Sequence, residues 1–481
     1  MIYLTHWYDK SKLVWIFLRC DSYFRHTLIM GVWRFLFYAR GVNMGVKTEN
    51  KMAYEPVNKL IIQMSAPPLI SMFFQYSYNL VDSMFVAGIN EQALAAVSLA
   101  FPITTLMNAL SVWIGVGVNV LIAGYLGQKN QQKANSAAAL GVVISVVVGV
   151  LINFLSLFII NPYYSAFTQN KEIFEYGIAY MSVCVFMQIP NMVHIVIQKI
   201  LQATGNMIAP MWFQIAGVVF NFVFDPLLIF GIGPFPKMGV VGAAVATVLG
   251  YVVSTIIALI QLFLTKQKVK PVFKNCLEPQ MIKLIFSYGL PSFVMNALGA
   301  FTVNFANMFL VRYSDTAVAF FGAYFNFMTV NGLIQGCLPI MRFNYRAKEY
   351  GRLKQANKSG TIIATVMMIV GMLLVLIFPK EILFLFSASE EMCAFGVPAM
   401  RIMSLGFVFS GFSAMIATYE QATDSIMPGV VVQLLRQGVL LVPVIWLLNS
   451  AVQMTGIWLA FPITEFVTFL VAVVFAKIKN H

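Results

Sequence analysis

Apolar runs of about 20 residues recur from Leu60 to the C-terminal end, and no other feature restricts the fold so tightly. A run of that length crosses ~30 Å of hydrocarbon as a helix. Twelve can be marked, at 60–84, 94–123, 137–160, 173–198, 207–231, 239–265, 281–311, 317–341, 360–379, 394–419, 427–449 and 454–476. Inside a bilayer each segment has to satisfy its own backbone polar groups. The expected fold class is therefore an all-α polytopic membrane protein. Charged residues are only 10% of the chain, against roughly 25% in soluble domains. Most of the surface must face something other than water.

The net charge of +13 would suggest nucleic acid in a soluble protein, but here the cations sit between apolar runs. Loops after spans 2, 6 and 8 carry Lys129 and Lys133, then Lys266, Lys268, Lys270 and Lys274, then Arg342, Arg346, Lys348, Arg352, Lys354 and Lys358. Loops after the odd-numbered spans hold at most one basic residue each. The positive-inside rule then places both termini in the cytoplasm of a multi-pass cytoplasmic-membrane protein, with no nucleic-acid partner. Residues 1–43 interleave aromatic and basic residues in runs too short to span. They read as an interfacial basic arm or, as we favour, as a stretch preceding a translation start at Met44. Five cysteines (Cys20, Cys184, Cys276, Cys337, Cys393) lie far apart, as buried thiols would.

The chain repeats. A shift of 224 residues aligns Leu60-Ile61 with Leu284-Ile285, Pro67 with Pro291, Met84-Phe85 with Met308-Phe309 and Gly127 with Gly351. With a smaller shift, Gln202-Ala203-Thr204 matches Gln421-Ala422-Thr423, Pro210 falls close to Pro428, and Gly242 meets Gly456. Each repeat holds six spans. Two pseudo-symmetric six-helix bundles around a central cavity are expected: 44–265 as N-lobe, 266–280 as cytoplasmic linker and 281–481 as C-lobe. Nothing requires more than a monomer.

An ionisable residue within a span costs at least about 2.5–3.5 kcal/mol, faces the protein interior and usually has a task. In span 1, Ser71, Gln75, Asn79 and Asp82 share one helical face, above the bend expected at Pro67-Pro68. Asp82 is the leading candidate for a coupling residue; the plainer reading puts it at the outer interface. Span 5 carries Asn221 and Asp225 at i,i+4, followed by Pro226. Two carboxylates and an amide oxygen would suit a hard cation, or their crowding would hold a proton. Both remain open, as does the reading of two separate solvated acids. Further polar candidates for the cavity are Gln75, Asn79, Gln188, Asn191, His194, Arg436 and Glu465. His194 reads equally as a packing residue, Lys199 is expected to snorkel toward the interface, and Arg436 with Glu465 would make a buried ion pair. Span 7 offers only Asn296, Asn304 and Asn307, and Ala306 aligns with Asp82, so coupling chemistry is expected in the first half. The 42 Phe and 28 Met suit organic cations and varied apolar ligands, although most such residues simply face lipid or fill helix contacts.

Several stretches then resemble one family. Asn79-Leu-Val-Asp82-Ser-Met-Phe-Val-Ala-Gly88 is similar to the first-helix signature of multidrug and toxic compound extrusion (MATE) transporters. Leu201-Gln-Ala-Thr-Gly-Asn-Met-Ile-Ala-Pro210, Asn221-Phe-Val-Phe-Asp225 and Gly242-Ala-Ala-Val-Ala-Thr247 fall where that family has similar motifs. The resemblance, over 44–481, implies antiport of organic, often cationic, drugs against sodium ions or protons, with no other cofactor. It also implies an N-lobe cation site at Asp82, Asn221, Asp225 and Thr247. Glutamates that some members carry in span 7 are missing, which weakens a second site and points to the bacterial multidrug-efflux branch.

Other classes fare worse. No loop can hold an ATPase, GxxxxGK[ST] is absent, and neither HExxH nor GxSxG occurs, so no enzyme activity is expected. A lipid-linked oligosaccharide flippase of the same superfamily would want a strongly basic cavity. A non-transporting scaffold would have no use for paired intramembrane carboxylates.

Overall fold

The computed structural model describes residues 50–479 except 187, 275, 311, 315, 318–319, 322–330 and 386–389. The described chain is helical. A short helix α1 (Lys51–Tyr54) leads into α2 (Val57–Ala87), α3 (Glu91–Gly127) and α4 (Gln131–Phe167). The first half continues with α5 (Lys171–Phe186), α6 (Gln188–Ala203), α7 (Ile208–Phe230) and α8 (Val240–Leu259), which ends in a π turn, Ile260–Leu264. The second half comprises α9 (Pro279–Leu310), α10 (Asn331–Arg346), α11 (Tyr350–Ile377), α12 (Pro379–Leu385), α13 (Glu390–Ser404), α14 (Phe407–Ala422), α15 (Ile426–Leu434) with a π turn at Leu435–Val439, and α16 (Leu441–Lys479). Asparagines start four of them: Asn50, Asn90, Asn130 and Asn170 each accept a backbone N–H of the first turn through Oδ1.

Seven helical runs are each long and apolar enough to cross a membrane, and the bent pairs α5–α6 and α13–α14 bring the number to nine. One run, Ile426–Phe475, breaks at Val452 and Gln453, whose backbone leaves the helical region, and so supplies two spans. The 31-residue α2 supplies another span, and the one expected at 317–341 lies largely outside the described residues, only its later part forming α10. Along α4, Val147, Val150, Leu151, Phe154, Leu155, Leu157 and Phe158 are exposed. Such a face is stable only against hydrocarbon.

Backbone geometry sharpens the repeat. Left-handed residues recur in pairs: Lys129 (φ 60) with Lys348 (φ 62), Gly205 (φ 85) with Asp424 (φ 64), and Gly239 (φ 56) with Gln453 (φ 54). Their separations are 348 − 129 = 219, 424 − 205 = 219 and 453 − 239 = 214. The shift of 224 therefore holds for α2 and α9 but has already fallen to 219 at the ends of α3 and α10. Gly127 corresponds to Arg346, not Gly351, because the second half has the shorter path into its second span.

The two lobes meet at the end of the bundle that carries the basic loops. Helices α3 and α9 cross there almost backbone to backbone. A Cβ added at Gly117 would lie 1.9 Å from the Ile285 carbonyl oxygen, and one at Gly289 2.0 Å from that of Trp113. Only glycine permits this approach. Trp113 Nε1 donates to Phe286 O (2.6 Å), and its ring stacks on Phe293 at 4.4 Å. The Arg352 guanidinium donates to Met52 O (3.1 Å) and Glu55 O (2.7 Å), clasping the chain ahead of α2 to the other lobe.

Two cations differ from expectation here. Arg342 lies inside α10, 1% exposed, and not in a loop. It can be buried because it donates to Val120 O (3.3 Å), Ala422 O (3.1 Å) and Asp424 Oδ1 (2.7 Å), with Tyr288 4.4 Å beneath its guanidinium. Lys199 does not snorkel: it is 6% exposed and donates to Gln202 Oε1 (3.1 Å) and, across the lobes, to Gln335 Oε1 (2.9 Å). Among the described residues Cys276 and Cys337 are buried, Cys184 and Cys393 are half-buried, and none is in a disulfide; Cys20 lies outside them.

Candidate functional site

Within the N-lobe, α2 packs along α7, and α8 closes on α7 through small residues. A Cβ at Gly217 would collide with Ser254 Oγ at 2.0 Å and Gly250 O at 2.7 Å. This close fit brings side chains of three helices together: Tyr78 and Asp82 of α2, Asn221 and Asp225 of α7, and Thr247 of α8. Asp225 is 0% exposed and Asn221 4%, Pro226 follows in the same turn, and Tyr78 is buried beside them.

The contacts form one network. The Asp82 and Asp225 carboxyls are near neighbours, and the Tyr78 hydroxyl lies beside both. Tyr78 Oη lies 3.3 Å from Thr247 Oγ1. With its amide nitrogen turned to the carboxylate, Asn221 donates to Asp225 Oδ1 (2.9 Å) and Oδ2 (3.1 Å), while its oxygen accepts from Tyr78 at 2.8 Å. With the amide turned the other way, its oxygen joins the carboxyl oxygens instead. Asp82 Oδ1 is buried with no hydrogen-bond partner, and among the described residues no basic side chain forms an ion pair with either acid. Two neighbouring carboxyls without a cation need a proton or a bound cation between them. The donor set, all oxygen, matches a small hard cation better than a soft metal.

The sequence candidates therefore divide into separate groups. Asp82, Asn221, Asp225 and Thr247 come together, joined by Tyr78, which sequence reasoning missed. Its signal was present: it stands four residues before Asp82 and so shares its helical face. The expected stripe on α2 splits. Ser71 is buried against Pro68 O (3.0 Å), while Gln75 Nε2 donates to Asn79 Oδ1 (3.2 Å) at a more exposed edge. Gln188, Asn191 and His194 are buried inside the N-lobe rather than on an open face; His194 stacks on Tyr251 at 5.9 Å. Arg436 and Glu465 form their own centre in the C-lobe, Nε to Oε1 at 2.6 Å, with Ser410 also accepting from the guanidinium. Arg436 projects from the π turn.

The N-lobe cluster has no counterpart in the other half. Shifts of 224, 219 and 214 carry Asp82, Asp225 and Thr247 onto Ala306, Val444 and Phe461, which belong to an apolar core.

Comparison with known proteins was consistent along the chain. The MatE family model matches residues 67–227 and 291–447, one stretch in each repeat. Multidrug export protein MepA of Staphylococcus aureus (strain MSSA476) is 24% identical over 411 residues, covering 84% of this chain and 89% of that protein. MepA of Staphylococcus haemolyticus (strain JCSC1435) is 25% identical over 432 residues, covering 88% and 94%. Among solved structures, the outward-facing conformation of a multidrug resistance MATE family transporter of the MOP superfamily superimposes with a TM-score of 0.84 at 23% identity, covering 89% of this chain and 97% of that one. A MOP superfamily transporter from Pyrococcus furiosus, described as having a binding pocket of reverse polarity, gives 0.82 over the same shares at 23% identity.

Proposed function

Because the chain belongs to the MatE family, whose matched relatives are multidrug export proteins, we propose that it is a secondary multidrug antiporter. It expels organic, often cationic, compounds in exchange for sodium ions or protons by alternating access. It needs no other cofactor, performs no covalent chemistry and binds no nucleic acid. It works as a monomer in the cytoplasmic membrane, with the basic loops and both termini in the cytoplasm.

The observation that carries this reading is the carboxyl pair, half-buried Asp82 on α2 beside fully buried Asp225 on α7, with no basic partner among the described residues. Such a pair is stable with a proton or a cation and repels itself without one. Occupancy therefore has energetic leverage on whatever holds α2 against α7. The same α2 packs on the opposite lobe near its basic end, where Ser65 lies against Gly336 of α10. One helix thus links the ion site to the lobe interface, with Pro67 and Pro68 between them as the place where it can bend.

The inter-lobe contacts described above all lie at the basic end, so the conformation is closed toward the cytoplasm. Binding of the coupling ion from outside would then neutralise the pair and favour the state in which drug has left. Such a shift requires different ion affinities in the two states. In cells expressing Asp82→Asn, efflux of an ethidium-like dye is expected to fall to background while the protein stays at wild-type abundance in the membrane. Wild-type efflux by that variant would refute the assignment of Asp82.

A further inference from the structure

At the basic end the lobes enclose a cavity of about 230 Å³, remote from the carboxyl pair. One lobe supplies Tyr125, Gln128 and Lys133, the linker supplies Glu278, and the other lobe supplies Arg342 and Arg346. Two of the cations have donors to spare. Arg346 uses only Nη2, toward Tyr288 Oη (3.3 Å) and the Asp424 carboxylate (3.2 Å), leaving Nε and Nη1 uncommitted. Lys133 lies 5.9 Å over the Tyr125 ring and, among the described residues, pairs with no carboxylate. Glu278 forms no ion pair with either of them, although all three line the same space. Arg342, by contrast, is 1% exposed and already committed through Nε and Nη1. With Glu278 and the adjacent Asp424 counted against Lys133, Arg342 and Arg346, the surroundings keep a net charge of +1.

We propose that this cavity binds a phosphoryl anion, from a lipid headgroup or from free phosphate, between Lys133 of one lobe and Arg346 of the other. Fork-shaped guanidinium donors, an ammonium and the Gln128 amide are the groups that recognise phosphate oxygens. The cavity lies where α3 and α10 end, beside the basic loops, and basic pockets between helices on that side of a membrane protein hold lipid headgroups. Its walls belong to different lobes, so it exists only while the basic end is closed. An occupant present only in that state shifts the population toward it. Anion binding here would act as a regulator of lobe closure, separate from the ion that drives transport.

The test uses the full chain in nanodiscs of phosphatidylcholine. Phosphatidylglycerol is titrated into one series and inorganic phosphate is added to the other. Spin labels at Gln132 and Gln355, both exposed and on opposite lobes, report the spacing of the basic end. The thermal unfolding midpoint is a second readout. The closed population and the midpoint are expected to rise with anion. Each basic side chain is worth about five-fold in apparent affinity, so Lys133→Gln should bind about five-fold more weakly, and Lys133→Glu more weakly still. A control, Lys171→Glu, exposed and at the other end of the bundle, should respond as wild type. A response to phosphatidylglycerol alone assigns a lipid headgroup; a response to phosphate in phosphatidylcholine assigns a free anion. No response in either series, an undiminished response in Lys133→Glu, or equal loss in Lys171→Glu would overturn the site.

Discussion

Gly117→Ala puts the lobe interface under load where it is tightest. The new Cβ would fall 1.9 Å from the Ile285 carbonyl oxygen, and tolerated contacts begin at 3.0 Å, so α3 and α9 must part by at least 3.0 − 1.9 = 1.1 Å. The obstacle is backbone, so no change of rotamer relieves it. Overpacking of a close-packed contact costs about 1–3 kcal/mol, and here only the closed state bears the cost, since the helices separate when the basic end opens. A differential of that size shifts the ratio of the two states about 5–150-fold toward opening at the basic end. Gly289→Ala, 2.0 Å from the Trp113 carbonyl oxygen on the same helix pair, should act alike. The double variant should shift less than the sum, because the first methyl already parts the helices. Distances between spin labels at Gln132 and Gln355 in nanodiscs read the effect directly. An unchanged distance distribution in Gly117→Ala, with the protein folded, would refute the claim that these contacts hold the closed state.

Two further predictions concern charge. The Asp424 carboxyl lies in the turn after α14; burial alone would raise its pKa, but Arg342, the Tyr288 hydroxyl and Arg346 outweigh that and hold it below the usual carboxylate range. A lowered folded-state pKa means stability that is fully present above the unfolded value of about 4 and lost as pH falls through the folded one. Asp424→Asn, which keeps a residue tolerant of positive φ, should unfold earlier than wild type near pH 7 and equally near pH 2; a gap in melting midpoint that does not shrink with acid would contradict this. In the C-lobe, Arg436→Met strands Glu465 without its buried partner, at about 3–5 kcal/mol, whereas Arg436→Met combined with Glu465→Met should recover much of that loss in thermal unfolding.

Much of this molecule could be read from sequence because a bilayer allows so few solutions. The expected apolar runs that fall on described residues became helices, since each must satisfy its own backbone. Asn221 and Asp225 emerged from i,i+4 spacing alone. What could not be read depends on partners distant in the chain. Asp82 and Asp225 are 225 − 82 = 143 residues apart, and it was the family resemblance rather than any local pattern that put them in one site. Tyr78 was hidden among many aromatics whose usual task is packing. Arg342 looked like a loop cation because a charge at the end of an apolar run ordinarily faces water; Asp424 and two carbonyl oxygens from distant segments make its burial tolerable. Lys199 escaped for the same reason, its amide partner Gln335 lying on the other lobe. The gapless match of Gly127 to Gly351 failed because identity of residue type does not reveal a shortened connection, whereas left-handed backbone positions do.

The central claim is that the Asp82–Asp225 pair couples an ion gradient to drug movement. It is tested most directly in proteoliposomes holding an ethidium-like dye, with sodium and proton gradients imposed separately. Wild-type chain should move dye against its gradient when one of the two ions flows the other way. Asp82→Asn and Asp225→Asn should bind dye yet show no response to either gradient. Gradient-driven dye movement that survives in both variants would contradict the account.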